Sequence, residues 1–390
     1  MSTVSVTRAA LLRHRFGNQE LHRATGDLAS VADVAALDLG VQDTGPDGAA
    51  WALALRGAPL PTRDGWADGL ALAWTLRGAP HAYRAADLDA VATATAPYSE
   101  ADAAKRIFDA SKPLREAGLS ILDALRTVAD TLRELVTEPT PKGDVSGALN
   151  RVLPEPFLRE CRPCNAIHIY EQPFRLAALQ AGLVLRPDTS PPVLEQVPGF
   201  DGPRYATAGG EADPRFDPIR AVLHLAPGST QRDVTKVIDG AAADVKARWP
   251  DDVVEVRVEG EAPPRPAARR WALAGDAAAL ADAPEPADAD EPTLRLLGPF
   301  DPYLQLQDRE LLVPDEARRK DLWRVLGRPG GVVADGEVVG TWRPRAGGKA
   351  FSVEVEPWAP LAKADRARIE AEAERLAAFR AKPLKAITVL

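Results

Sequence analysis

Cysteine is almost absent from this chain of 390 residues: two are present, Cys161 and Cys164. A pair so close in sequence cannot tie distant parts of a secreted fold together, so a disulfide-stapled extracellular scaffold is excluded. No run approaches the roughly 20 apolar residues that a membrane helix needs. The opening MSTVSVTRAALLRHRF also lacks the apolar core of a secretory signal, which places the protein in the cytoplasm. Equally missing are a P-loop, a Gly-rich dinucleotide fingerprint, a nucleophile elbow and an H-E-x-x-H sequence, so none of the chemistries those motifs announce can be read here. Positive charge is in deficit too. The formal net charge is -8, and any nucleic-acid surface must therefore be a local basic patch on an acidic molecule.

What is present is the composition of a globular protein. Hydrophobic residues make up 45% and charged residues 27%, enough to bury a core without cross-links. A chain of this length divides into two to four folding units. Arg greatly outnumbers Lys, and its planar fork suits phosphate; a GC-rich genome imposes the same bias, together with abundant Ala and Pro.

The pattern along the chain gives four segments, 1–98, 99–200, 201–292 and 293–390. In the first, Thr7 or Ser5 caps a helix running through Arg15. Ser30 and Asp33 open a second over VADVAALDLG, where Val31, Val34, Ala35 and Leu39 recur at helical spacing and Gly40 stops the run. Val41 to Pro46 is too short and too broken for a helix and reads as a strand or extended turn. AAWALALRG predicts another helix, and DGLALAWTLRGAPHAYR a helix ending in a strand, which together give the element order of a winged helix. The second segment has a clear helical period in ILDALRTVADTLRELV. KGDVSGALNRVL, PEPFLREC and QPFRLAALQAGL then repeat the helix-turn-helix pattern and close on a strand, LVLRP. The third offers IRAVLHLA, TQRDVTKVID, AAADVKARW and the strand VVEVRVEG, followed by an Ala-, Pro- and Asp-rich connection up to Pro292. The last is β-rich, with Asp335-Gly336 marking one hairpin and Gly347-Gly348 a second, before an amphipathic helix, KADRARIEAEAERLAAFRA. The fold class is α+β, with three units of one kind and a β-rich end.

Several residues are placed to carry function. The second hairpin sets Arg343, Arg345 and Lys349 around its tip, either as a basic ribbon that tracks phosphates or as an ordinary exposed turn with solubilising charges. Arg232, Lys236, Lys246 and Arg248 lie on candidate recognition helices, diluted by Asp233, Asp239 and Asp244. Cys161 and Cys164, followed by His168 and Glu171, have the spacing of a zinc half-site. A structural zinc wants four ligands drawn from Cys and His, so the alternative is two thiols packing a helix end.

The phrases DVAALDLGVQDTGPDGAAWALALRG, WTLRGAPHAY, GPFDPYLQLQDRELLVP, DGEVVGTW and VEVEPWAPL together resemble the AlkZ-type (YcaQ-type) bacterial DNA glycosylases over nearly the whole chain. The resemblance implies three tandem winged helices and a barrel-like C-terminal portion around a concave surface for double-stranded, damaged DNA. It also implies a monomeric, cytoplasmic, nucleoid-associated enzyme that excises alkylated or bulky-adduct purines. Such enzymes carry Q-x-Q or Q-x-D on a short catalytic strand; the matching tripeptide is Gln42-Asp43-Thr44, so the second active position holds Thr. A strand turns residues i and i+2 to one face, aiming Gln42 and Thr44 into the cleft and Asp43 away. An amide positions a water, and a hydroxyl orients it without acting as a base near neutral pH. Catalysis then falls to Gln42 and Thr44, with Asp43 or Asp47 as carboxylates that would have to swing in. The resemblance also sets Arg77 and His81 beside the cleft, as phosphate and base-edge contacts; read alone, they are a solvated Arg and a satisfied core His. No cofactor is required, and a structural zinc at Cys161, Cys164 and His168 stays open. The competing readings are a non-catalytic winged-helix regulator or lesion sensor, and a scaffold for proteins.

Overall fold

The computed structural model describes residues 3–45, 47–59, 66, 68–161, 165–262, 264–281 and 293–390. Within them the chain is a mixed α+β protein with four sheets. The N-terminal strand Thr3–Val6 runs parallel to Val253–Val258, so the two ends of the 1–281 stretch meet in one sheet, completed by Arg270–Leu273 and Ser229–Thr230. Thr7 caps the helix Arg8–Asn18 by accepting from Ala10 N–H, and Leu11, Leu12 and Phe16 of that helix enter the largest apolar core.

The second sheet has six strands in the order Val41–Gln42, Pro80–Arg84, Leu70–Trp74, Leu183–Leu185, Val193–Gln196, Thr140–Pro141. A bridge between Leu72 and Leu185 joins segments 1–98 and 99–200 through that sheet. The 201–281 stretch runs helix Pro218–Leu225, strand Ser229–Thr230, helices Gln231–Ile238 and Ala242–Ala247, then strands Val253–Val258 and Arg270–Leu273. Thr230 and Asp233 form the capping box that starts the middle helix.

Three local expectations fail for identifiable reasons. Residues 31–38 form two short 3₁₀ turns, Val31–Asp33 and Ala35–Asp38, instead of a helix. Arg84 Nη2 takes the Val34 carbonyl at 2.8 Å and its Nε the Ala32 carbonyl, so two carbonyls that a helix would have used are held by a tertiary partner. Residues 70–84 form a hairpin, not a helix leading into a strand. Ala71 to Trp74 are all buried, and a strand covered on both faces reads as a continuous apolar run without alternation. PEPFLREC forms a turn, Glu155–Phe157, and then the strand Leu158–Cys161, which pairs with Ala166–Ile169.

The C-terminal sheet is not a barrel. Its five strands are ordered Leu294–Leu297, Gly330–Ala334, Glu337–Gly347, Ala350–Pro357, Leu384–Val389, and the first and last do not pair. The last lies parallel to its neighbour, which forces a crossover. The helix Lys363–Phe379 makes it, laying Ile369, Ala373, Leu376 and Phe379 into the core where closure would otherwise occur. Both expected hairpins form. Asp335 (φ 44°) and Gly336 (φ 93°) turn the first, as a type I′ turn requires, and Gly347 pairs with Ala350 at the tip of the second. No described helix is long and apolar enough to cross a membrane.

Candidate active site

The strand Val41–Gln42 is an edge of the six-stranded sheet, held against Pro80–Arg84 with Gln42 opposite His81 and Asp43 N–H donating to the Pro80 carbonyl at 2.8 Å. Glycines shape both ends of the motif. Gly40 has φ 94°, and a side chain there would strike the Tyr83 ring, whose hydroxyl donates to the Leu39 carbonyl at 3.2 Å. Gly48 starts the helix Gly48–Ala54 at φ 45°, and a Cβ there would run into the Asp43 carboxylate, which accepts from Ala49 N–H at 2.8 Å.

Gln42 Nε2 donates to Thr44 Oγ1 at 3.0 Å, and Arg77 Nη2 donates to Gln42 Oε1 at 3.2 Å. The amide is thereby fixed at both ends, and the Thr44 hydroxyl, already an acceptor, keeps its own proton to donate. Asp43 faces a second cleft lined by Trp66, Trp74 and Asp188. Burial first, and then the Asp188 charge, push its carboxyl above the usual range against the pull of the Ala49 N–H.

Thr44 opens on a pocket of about 140 Å³ whose walls include Trp51, Phe300, Arg328, Trp342, Arg343 and Pro344. Trp51 and Trp342 are fixed by indole donation to the Leu296 and Leu297 carbonyls, at 2.9 and 2.8 Å. Among the described residues that line the pocket, two carry carboxylates, and arginine holds both. Asp47 is paired with Arg380, and Asp301 with Arg56 at 2.8 Å, both side chains wholly buried. Neither is a free base.

The cations around the motif are less well compensated. Arg77, itself in the left-handed region at φ 57°, spends Nη1 on the Val237 carbonyl at 3.0 Å. Its opposite charge, Asp239, already holds Lys105 at 2.9 Å. Arg328 stacks on Phe300 and Arg309 on Trp323, with guanidinium carbons 4.7 and 5.0 Å from the ring centres. Burial lowers the basicity of all three; repulsion from Arg328 adds to this at Arg77 and Arg309. Desolvated arginines without an ion-paired carboxylate suit an anionic partner. Sequence reading passed over Phe300, Arg309 and Arg328 because they sit in loops and a one-turn helix, where no periodicity marks them.

His81 does not reach a groove. It is 3% exposed, on a strand flanked by two others, and its Nδ1 lies 2.9 Å from the Ala79 carbonyl and 3.1 Å from Thr75 Oγ1. Its role is to hold the hairpin behind Gln42. Burial, with Arg77 nearby, pushes its pKa down to about 3. An unfolded His takes up a proton near pH 6.5, so between those values the unfolded chain binds more protons than the native one. Stability therefore rises with pH through that window and is lost as pH falls. His81→Gln is expected to flatten that acid limb, as read from urea midpoints between pH 4 and 7.

The remaining expected site residues divide. Arg343 lines the Thr44 pocket and touches Asp321 at 3.4 Å. Arg345 is taken by Glu354 across the hairpin at 2.7 Å, and Lys349 is exposed at the tip. Arg232 and Lys236 face a wide cleft of about 1270 Å³ that Arg309 and Arg324 also line. Arg248 instead stacks on Tyr98 and donates to the Gly209 and Gly210 carbonyls. Cys161 and His168 stand on the two strands of the Leu158–Cys161 ribbon, with His168 Nε2 buried and unpartnered. Cys164 lies outside the described residues. Glu171, the conceivable fourth ligand, is held by Lys142 and Arg175 at 2.6 and 2.5 Å.

An amide–hydroxyl pair at the end of an edge strand, a pocket walled by aromatic rings, and two arginines, Arg309 and Arg328, without an ion-paired carboxylate among the described residues lie in this part of the fold. The family model for AlkZ-like DNA glycosylases matches residues 31–379, and the chain belongs to that family. Among solved structures it is similar to the Streptomyces sahachiroi DNA glycosylase AlkZ, with a TM-score of 0.69 and 19% identity over 99% of this chain and 100% of that one. No curated protein matches the sequence.

Proposed function

We propose that this protein is a monofunctional DNA glycosylase that hydrolyses the N-glycosidic bond of alkylated or bulky-adduct purines in double-stranded DNA. It works as a monomer on the bacterial nucleoid, gripping the duplex through winged-helix units. The observation that carries the reading is Thr44, which lines a pocket walled by Phe300, Trp342 and Arg328 and takes a hydrogen bond at 3.0 Å from Gln42 beside it. A purine alkylated at N3 or N7 is already cationic and leaves readily, so the site needs to orient a water and stabilise an oxocarbenium-like sugar. Gln42, locked by Arg77, positions that water and the Thr44 hydroxyl completes its orientation. That division of labour suits a pocket whose carboxylates are both tied to arginines. Arg77, Arg343 and the hairpin bearing Arg345 and Lys349 meet the phosphates. The hydrolysis requires no cofactor; zinc at Cys161, Cys164 and His168 would brace the ribbon, and metal analysis of the purified protein reads whether it is there.

The test is release of 7-methylguanine, 3-methyladenine and a bulkier adduct from duplex DNA by the purified protein. The same tied carboxylates favour a second reading, a lesion-binding protein without excision. Thr44→Asp separates the two. An enzyme lacking only a base is expected to gain excision of the less labile adducts. A binder stays inert with either residue, and that result would remove the catalytic assignment.

A further inference from the structure

We propose that residues 324–329 form a wedge that enters the duplex beside the nucleotide drawn into the Thr44 pocket. Val325 and Leu326 would occupy the vacated place in the base stack while Arg309 and Arg328 hold the flanking phosphates. The inference rests on the glycosylase reading and adds to it the means by which a base leaves the helix.

Val325 is 90% exposed and Leu326 85%, whereas among the described residues the next most exposed large apolar residue away from the chain's end is Val152 at 56%. Two adjacent aliphatic side chains left in water forgo the stabilisation that burial would supply, and at this exposure they support no part of the fold. The loop that carries them is anchored at both ends. Trp323, 7% exposed, anchors one end by donating to the Leu304 carbonyl at 2.9 Å. The strand Gly330–Ala334 fixes the other, and Gly327, at φ 63°, turns the tip between them. The loop also spans the two concavities, for Val325 lines the wide cleft with Arg232 and Lys236, and Arg328, three residues on, lines the pocket with Thr44. Charge selects the occupant. Among the described residues neither Arg309 nor Arg328 has a carboxylate in an ion pair, and both guanidinium groups are packed on aromatic rings. An apolar tip between such arginines complements a ligand with an apolar stacked interior and an anionic rim, which is duplex DNA. Side-chain wedges of this kind unstack a base step and leave it bent or open.

The experiment uses a duplex with 2-aminopurine next to an alkylated purine or a stable abasic analogue, read at saturating protein. The parent is expected to raise the fluorescence several-fold. Val325→Ser/Leu326→Ser, a change on a fully exposed tip, is expected to bind with unchanged salt dependence and to lose the rise. Arg309→Ala is expected to reduce the salt slope by about one. A double variant that keeps the full rise, or a saturated parent complex that shows none, overturns the wedge. Unstacking that depends on the loop but is followed by no base release, even from the labile adducts, leaves the wedge standing and sinks the enzyme. Full release without loop-dependent unstacking does the reverse, and no binding to duplex DNA removes both.

Discussion

Gln42→Ala should slow single-turnover base release by about 10²- to 10³-fold, the usual penalty for deleting one preorganised hydrogen-bonding group in an active site, with duplex affinity close to that of the parent. The amide is held by Arg77 at 3.2 Å and by Thr44 at 3.0 Å, so truncation removes the water-positioning group and both its anchors at once. Binding should survive because Arg77 remains fixed to the Val237 carbonyl and the other arginines of the groove are untouched. Gln42→Glu is the informative companion. A carboxylate there would pair with Arg77 and lose the N–H that reaches Thr44, so it too should be slow although it supplies a base. Full excision by either variant would show that the water is held elsewhere, and a matching drop in affinity would move Gln42 from chemistry to binding.

Much of this was legible in the sequence, and the parts that were not share a cause. The period-2 rule put Gln42 and Thr44 on one side; the two are hydrogen-bonded, although the strand itself ends at Gln42 and Thr44 alone lines the pocket. The capping residues Thr7 and Ser30 accept N–H groups of the turns they open, and the Asp335-Gly336 turn needed only its own backbone preferences. Residues 31–38 misled because their spacing was helical, yet a guanidinium some 50 positions away captured their carbonyls. Residues 70–74 misled because a doubly covered strand has no polar face to reveal it. The expected barrel came from resemblance and gave way to a crossover helix whose register with the sheet no local pattern encodes.

The same limit governs the site. Asp47 looked available as a carboxylate, and only the fold shows it spent on Arg380, more than 300 residues on. His81 looked like a groove residue by position, and only the order of strands shows that it is interior. Phe300, Arg309 and Arg328 acquire meaning from their convergence on Thr44 and Arg77. The candidate tripeptide could be read from the sequence; the electrostatic surroundings that decide its partners could not.

Those surroundings are maintained by one pair above all, and disrupting it should have the largest effect on stability. Arg56 and Asp301 are both fully buried. Arg56 donates twice to the carboxylate, at 2.8 and 2.9 Å, once to the Ala52 carbonyl and once to Gln19 Oε1, while Asp301 also accepts from Tyr303 N–H. Arg56→Met keeps much of the packing but strands a carboxylate in the wall of the Thr44 pocket, and stranding one partner of a buried pair costs about 3–5 kcal/mol. Against a typical total of roughly 5–15 kcal/mol, that is expected to bring the urea midpoint down steeply at pH 7. Asp301→Asn in the same chain removes the orphaned charge and keeps an acceptor for Tyr303, so the double variant should be more stable than Arg56→Met alone. That sign is the decisive part, since simple loss of contacts would make the second substitution add to the damage. If the double variant is the weaker of the two, the pair contributes through packing and not through charge.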